Sequence, residues 1–298
     1  MEVSPDTVLI ATSPGLIGNF QPKRFAVGLI AGTIAHTLTS PLSVVKLFMQ
    51  VSNQSFSETV KNVYLKDGIA GFWSGNATSC LRLGPHAAIK FFAYEELQRI
   101  MNNGAPLNGW QRAFSGAVAG ALGQTITYPL DVIATRLTLY PNKYRGIFRT
   151  TMKIVEEEGV TALFAGLVPT LIGVIPYSGS QFFAYETLKI HYNNTFGKKY
   201  PMSPVTNCLI GATAGIFSQL ISYPLTVVRK RMMIYDENGR AHKTNMPEMI
   251  LKIYSNEGIT GLYRGLNITL LRAVPFAALQ FTLVEEVRKA LNIVTNRN

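Results

Sequence analysis

Two arginines and a glycine hold matching places in this chain. Arg82, Gly173 and Arg272 each stand three residues before a proline, Pro85, Pro176 and Pro275. An arginine presents a forked set of N–H donors that fits the oxygens of a phosphate or pyrophosphate. Gly173 leaves exposed backbone against which a flat ring can lie, and Val174 beside it supplies an apolar wall. Lys90, eight residues and just over two helical turns beyond Arg82, extends the positive lining. A second matching layer is His36, Gln124 and Gln219, each five residues before a different proline. His36 reads equally as a phosphate ligand or as a neutral hydrogen-bonding lining residue. The chemistry of this set is anion recognition rather than bond making. No metal-ligand cluster, nucleophile-base pair or phosphate-cradling glycine loop is visible, which argues against an enzyme.

The matching places belong to a unit present three times. Pro41, Pro129 and Pro224 each follow, by thirteen residues, the first glycine of a G-x-x-x-G pair: Gly28/Gly32, Gly116/Gly120 and Gly211/Gly215. Downstream come the acidic-glycine pairs Asp67-Gly68, Glu158-Gly159 and Glu257-Gly258. Seven residues further lies another glycine (Gly75, Gly166, Gly265), ten further the second proline, and ten further a glutamate (Glu95, Glu186, Glu285). Self-similarity at so long a period decides the architecture before any local pattern does. The repeats are assigned to residues 24–104, 105–198 and 199–291, with a short N-terminal tail (1–23) and a C-terminal tail (292–298).

Composition selects the solvent. Of 298 residues only 15% are charged and 47% are hydrophobic. Six long, mostly apolar stretches run over 24–50, 77–100, 109–139, 169–192, 204–234 and 267–291, lengths that suit membrane spans better than a soluble helical array. The G-x-x-x-G pairs on the first, third and fifth stretches predict close approach between neighbouring membrane helices. The formal net charge of +11 comes without a basic tail or basic-aromatic motif, so nucleic acid is not an expected partner. In a membrane the same excess attracts anionic lipid and an anionic solute. Cys80 and Cys208 sit in separate apolar stretches and read as small core residues. The N-terminal residues, with Glu2 and Asp6 and no arginine before Arg24, read as neither signal nor transit peptide.

The segments around Pro41, Ser43 and Lys46, around Pro129, Asp131 and Arg136, and around Pro224, Thr226 and Arg229 resemble the signature of the mitochondrial carrier family. The acidic-glycine pairs and the aromatic-x-glycine steps at Trp73, Phe164 and Tyr263 strengthen the resemblance, which covers Arg24 to Lys289. It implies an all-α membrane protein with six transmembrane helices in three pseudo-threefold repeats. Three short matrix-side helices are expected near 57–66, 147–157 and 246–255. The implied setting is the mitochondrial inner membrane, multi-pass, as a monomer with cardiolipin as a lipid partner, no cofactor and no metal. Prolines within long helices should kink them and draw one mouth closed.

The resemblance also implies two gates. On the matrix side the acid two residues past each proline pairs with the base of the next repeat. Here Asp131 pairs with Arg229, while Ser43 and Thr226 replace the other acids and Ala134 replaces one base, leaving Lys46 facing a hydroxyl. Gln50 matches the family's glutamine brace beneath one bridge. On the cytoplasmic side the implied pairs are Glu95–Lys189, Glu186–Arg288 and the weaker Glu285–Gln98. Arg82, Gly173, Val174 and Arg272 match the family's substrate-contact positions, with Lys90 and His36 as further lining. Glycine followed by an aliphatic residue at 173–174 resembles the nucleotide, coenzyme A and thiamine pyrophosphate branch. The expected activity is transmembrane transport of an anionic phosphorylated solute by alternating access. A proton or fatty-acid leak protein and a non-transporting, membrane-embedded interaction protein stay open as alternatives.

Overall fold

The structure, a computed structural model, describes residues 22–101, 108–195, 204–234 and 245–290. The described chain is helical, with no strand among the described residues. In order, the helices are α1 (Pro22–Leu38), α2 (Ser40–Val51), α3 (Phe56–Asp67), α4 (Asn76–Met101), α5 (Gly109–Leu139), α6 (Ile147–Glu158), α7 (Leu167–Thr195), α8 (Pro204–Met232), α9 (Met246–Gly261) and α10 (Leu266–Ala290). Short 3-10 turns at Ile69–Trp73 and Val160–Phe164 lead into α4 and α7. The N- and C-terminal tails assigned from sequence lie outside the described residues, apart from Pro22 and Lys23.

Each repeat is a long helix, a short amphipathic helix and a second long helix. The short helices α3, α6 and α9 fall where the sequence predicts them, and each packs on the helix before it. In the second repeat Ile133 packs with Tyr144, Ile154 and Leu163, and in the third Tyr223, Val227 and Val228 pack with Met249 and Ile253. Full burial of Ile154 or Ile253 contributes about 1.5–3 kcal/mol each. The long helices contact in succession: α1 with α4, α4 with α5, α5 with α7, and α7 with α8. α10 returns onto α1 and α2, so the last repeat meets the first. The most extensive seams, α4 with α5 and α7 with α8, join different repeats.

Much apolar surface faces outward. Ile175, Phe182, Phe183 and Val274 are each at least 66% exposed, which in water would be an aggregation hazard. Three helices, Val160–Thr195, Thr206–Met232 and Leu266–Ala290, are long and apolar enough to cross a membrane. The pair Phe25–Leu38 and Ser40–Val51, bent by 63°, counts as a fourth if taken as one broken span. Sequence reading anticipates six spans; α4 and α5 have the length but carry too much polar and charged content along it to qualify on composition alone.

The anticipated proline kinks are realised unequally. Before Pro41 the helix breaks at Thr39, whereas Pro129 and Pro224 stand inside unbroken α5 and α8. Two residues before each proline a hydroxyl bonds back one turn: Thr39 Oγ1 to Ala35 O (2.9 Å), Thr127 Oγ1 to Gly123 O (2.7 Å) and Ser222 Oγ to Ser218 O (2.9 Å). Such back-bonding bends a helix and supplements its weakened ladder. At the first proline, Trp73 Nε1 donates to Thr37 O at 2.9 Å, the carbonyl that Pro41, lacking an N–H, leaves without its helical donor.

Close approach is made by different glycines from those the G-x-x-x-G spacing predicts. A Cβ added at Gly28, Gly120, Gly211 or Gly215 would meet nothing within 4 Å, and at Gly116 only Tyr94 at 3.9 Å. The tight sites are the symmetric Gly75, Gly166 and Gly265, where the chain turns into the second long helix with φ of 73°, 84° and 75°. A Cβ on Gly166 would lie 2.7 Å from Arg229 O and 2.9 Å from Tyr128 Oη. Gly166→Ala should therefore combine backbone strain with a clash and cost about 2–4 kcal/mol, lowering the thermal midpoint in detergent. Gly120→Ala, in open space within a helix, should leave the midpoint unchanged or raise it.

Candidate functional site

The first prolines of the repeats bring buried polar groups together at one level. Asp131, two residues past Pro129, forms an ion pair with Arg229, five past Pro224, as the sequence anticipates. Lys230 Nζ joins the same carboxylate at 3.3 Å and bonds Thr135 Oγ1 at 3.1 Å. Arg229 also lies over the Tyr128 ring at 5.6 Å. Of the remaining positions of the level, Lys46 keeps its base while Ser43, Ala134 and Thr226 are neutral. Thr226 Oγ1 turns back to Ser222 O at 3.5 Å, and Ser43 Oγ lies 2.9 Å from Arg272 Nη1. Gln50 is fully buried and donates to Tyr223 Oη at 3.0 Å rather than bracing an ion pair. Tyr223 in turn donates to Arg264 O (2.8 Å), as Tyr128 does to Ala165 O (3.1 Å) in the preceding repeat.

A second set of contacts lies one turn below. Arg136 is 1% exposed and forks onto Glu158, with Nη2 to Oε2 at 2.8 Å, while its Nε donates to Met233 O of the next repeat at 3.0 Å. Arg231 does the same in the following unit: Nη2 to Glu257 Oε2 at 2.8 Å, and Nε to Gln50 O of the first repeat at 3.0 Å. Each arginine thus ties its own short helix to its long helix and to the next repeat. The first repeat has Phe48 at this place, so Asp67 has no equivalent clip. Sequence reading assigned no role to Arg136, Arg231 or Lys230. The signal was present, since a base seven residues past the proline coincides with a Glu-Gly pair in two of the three copies.

At the opposite end the expected pairs are not made. Among the described residues no ion pair joins Glu95 to Lys189 or Glu186 to Arg288, and no hydrogen bond joins Glu285 to Gln98. Lys189 instead lies 5.8 Å from the ring of Tyr185, and Glu285 meets Lys289 on its own helix at 3.7 Å. The two networks are therefore not made together in this conformation.

Between the two ends lie the residues singled out for anion recognition. Arg82 is half-buried and has no hydrogen bond or ion pair to any described residue. Lys90 follows on the same helix, and between them His86 places Nδ1 3.3 Å from Thr127 Oγ1; sequence reading passed over His86. Gly173 is buried at a crevice between α7 and α8 lined by Thr170, Ser222, Leu225, Thr226 and Arg229. An added Cβ there would meet Leu225 at 3.7 Å, ordinary contact, so helix packing does not by itself require glycine. Val174 is partly buried beside it. Arg272 is only 4% exposed and lies 5.2 Å from the ring of Phe276. His36 directs Nδ1 to Asn76 Oδ1 at 3.1 Å, where Asn76 Nδ2 donates to Thr37 Oγ1. Gln124 of the same layer is buried with Nε2 unpartnered.

A threefold repeat of two long helices and one short one, with an acid-base contact at its prolines, defines a class. The mitochondrial carrier protein family model matches residues 19–105, 105–196 and 200–294, and the chain belongs to that family. It is 37% identical over 267 residues to the mitochondrial coenzyme A transporter of Homo sapiens, covering 86% of this chain and 83% of that protein. It is 34% identical to the mitochondrial adenyl nucleotide antiporter of Danio rerio over 91% of this chain and 58% of that longer protein. The chloroplastic/mitochondrial adenine nucleotide transporter of Arabidopsis thaliana is 33% identical over 92% of this chain and 71% of its own length.

The clip at Glu257 has a pH signature. The Arg231 guanidinium, with Arg264 Nε 2.9 Å away, holds its carboxyl below the usual 4.5. A carboxylate whose folded pKa is depressed lends stability that is present above its unfolded pKa and lost as pH falls through the folded value. Glu257→Gln should lower the thermal midpoint at neutral pH and shrink the loss of stability between about pH 5 and pH 3. An acid limb identical to that of the unaltered protein would show that the clip does not respond to protons.

Proposed function

We propose that this carrier moves an anionic phosphorylated solute, of the coenzyme A, adenine nucleotide or thiamine pyrophosphate kind, across the mitochondrial inner membrane by alternating access. Six spanning helices enclose the path, with α1 and α2 forming one broken span. The observation that carries the reading is Arg82: a half-buried guanidinium without a hydrogen bond or ion pair among the described residues, at a level where the carboxylate of Asp131 is already bonded by Arg229 and Lys230. Lys46, Lys90 and Arg272 add to the positive charge around it. A low-dielectric interior with this imbalance favours an anion strongly, and the forked donors favour phosphate.

In this reading Arg82 and Arg272 bind phosphoryl oxygens and Lys90 extends the path. Gly173 and Val174 accept the ring, and His36, its Nδ1 held by Asn76, lines the site through Nε2. The proline-level contact of Asp131 with Arg229 is the closed matrix gate. Glu95, Lys189, Glu186, Arg288, Glu285 and Gln98, whose expected pairs with one another are not made, belong to the open cytoplasmic gate. The empty space beside Gly28, Gly120, Gly211 and Gly215 supports alternation, because it leaves room for α1, α5 and α8 to close there. The names of the relatives, transporters of coenzyme A and adenine nucleotides, support the substrate class.

The test is a thermal-shift series on the purified protein with coenzyme A, ADP, ATP, thiamine pyrophosphate and dicarboxylates. A bound solute at about 100 times its Kd should add roughly 2.7 kcal/mol of stability. Stabilisation by a phosphorylated ring compound is expected, and Arg82→Ala and Arg272→Ala should each abolish it. A response to carboxylates alone would overturn the substrate class. Silence throughout would favour the leak or interaction alternatives.

A further inference from the structure

Two glutamines in matching places make no hydrogen bond to a described residue. Gln124 stands on α5 and Gln219 on α8, each five residues before the proline within its helix. Gln124 is 5% exposed with its Nε2 sealed from solvent, and Gln219 is half-buried. A buried amide without a partner has lost its hydrogen bonds to water and gained none, so such a group calls for a ligand or an ordered water. Each glutamine lies seven residues before a proline-level residue, Asp131 or Thr226. Seven residues are two helical turns, about 10 Å, and return to nearly the same helix face. Both glutamines are therefore on the face that carries the proline-level groups, two turns towards the opposite end. At that height α5 packs on α4, where a Cβ on Gly123 would lie 3.4 Å from Lys90 Cβ. His36 completes the layer. Thr37 Oγ1 gives its proton to Thr33 O (2.8 Å), so Asn76 Nδ2 donates to Thr37 Oγ1 and Asn76 Oδ1 accepts from His36 Nδ1. That fixes Nε2 as the acceptor of the ring.

What the pair can hold follows from its chemistry and its separation. A carboxamide is neutral and offers a C=O acceptor and two N–H donors, so it matches another amide or the edge of a base. Phosphate is better served by guanidinium groups such as those of Arg82 and Arg272. α5 and α8 meet through Asp131 and Arg229 but share no extensive seam, so the glutamines stand on separate walls of the interior. A base carries its polar groups on one rigid rim, whereas a flexible chain with two secondary amides several atoms apart can reach both walls. We propose that Gln124 and Gln219 form a neutral subsite for an amide-bearing arm of the solute, such as the pantetheine arm of coenzyme A. The proposal rests on the anion-binding reading above and narrows its solute class. The phosphates sit at Arg82 and Arg272, and the arm runs from them to the glutamines, with the Nε2 acceptor of His36 in the same layer. A nucleotide without the arm leaves both amides unmet.

Calorimetric titration of the full-length purified protein compares two ligands: coenzyme A, and the phosphorylated ADP that remains when its pantetheine arm is removed. The unaltered protein should bind coenzyme A about tenfold more tightly than the armless ligand, or better. Gln124→Met and Gln219→Met keep side-chain length and neutrality. Each should weaken coenzyme A by about five- to tenfold, the loss of one hydrogen-bonded amide, and leave the armless ligand within about twofold. Arg82→Ala should weaken both ligands, since both carry the phosphates. The two glutamine variants are independent, so if one fails to fold the other decides. Coenzyme A bound as tightly by both variants as by the unaltered protein would overturn the proposal, as would equal weakening of the two ligands. Equal affinity of the unaltered protein for both ligands would overturn the amide subsite and leave the anion site standing. Binding of neither ligand would overturn the anion-binding reading, and this proposal with it.

Discussion

The rest of the structure is organised around Asp131 and the two cations that share it. A carboxylate taken from water costs several kcal/mol unless its oxygens are matched, and here Arg229 takes one and Lys230 the other. Both cations come from the third repeat, so one acid fixes the register of α8 against α5. Removing the acid would leave the two positive charges facing each other without a counter-charge. At Ser43 the opposing base is absent too, with Ala134 in its place, so that pair of positions stays neutral.

Around this contact the backbone is arranged so that six long helix segments can converge on one level. Hydroxyls at Thr39, Thr127 and Ser222 reinforce the helix where a proline has weakened it. Glycines at 75 and 166 then admit the next long helix at distances a Cβ would not allow, and Gly265 does so at distances a Cβ would crowd. Arg136 and Arg231 bind the short helices to this frame and carry each repeat onto its successor through a carbonyl. The first repeat has neither a basic residue at Phe48 nor a tyrosine at Ser40, the two places from which the others brace themselves. Its long helix is also the one that breaks at the proline.

The repeat, the short helices and the Asp131–Arg229 pair were legible because each depends on residue type at a fixed interval, and the three copies check one another. What was not legible depends on direction. Arg229, Lys230 and Arg231 are adjacent in sequence but turn by about 100° each along a helix. Two therefore reach Asp131 and the third reaches Glu257, and no spacing rule assigns them in advance. The G-x-x-x-G pairs read as contacts because small residues permit approach; whether helices use that permission depends on how they pack, and beside Gly28, Gly120, Gly211 and Gly215 they do not. Likewise Ser43 reads as an eroded acid in one dimension. Its role as the acceptor for Arg272 appears only when the last repeat is folded back onto the first.

Charge asymmetry then follows from neutral substitutions rather than from added bases. A ring of three acids and three bases would balance at the proline level. Losing two acids and only one base leaves a hydroxyl, Thr226, at the third-repeat place expected to face Lys46, while Lys230 supplies a further cation. Arg82, without a hydrogen bond or ion pair to a described residue, adds a further positive charge to this interior. Such an interior is costly in the unliganded state, and binding a polyanion lowers that cost more than binding a neutral or zwitterionic solute could. On the proposed transport reading, an anion entering this interior would relieve the mutual repulsion of its cations.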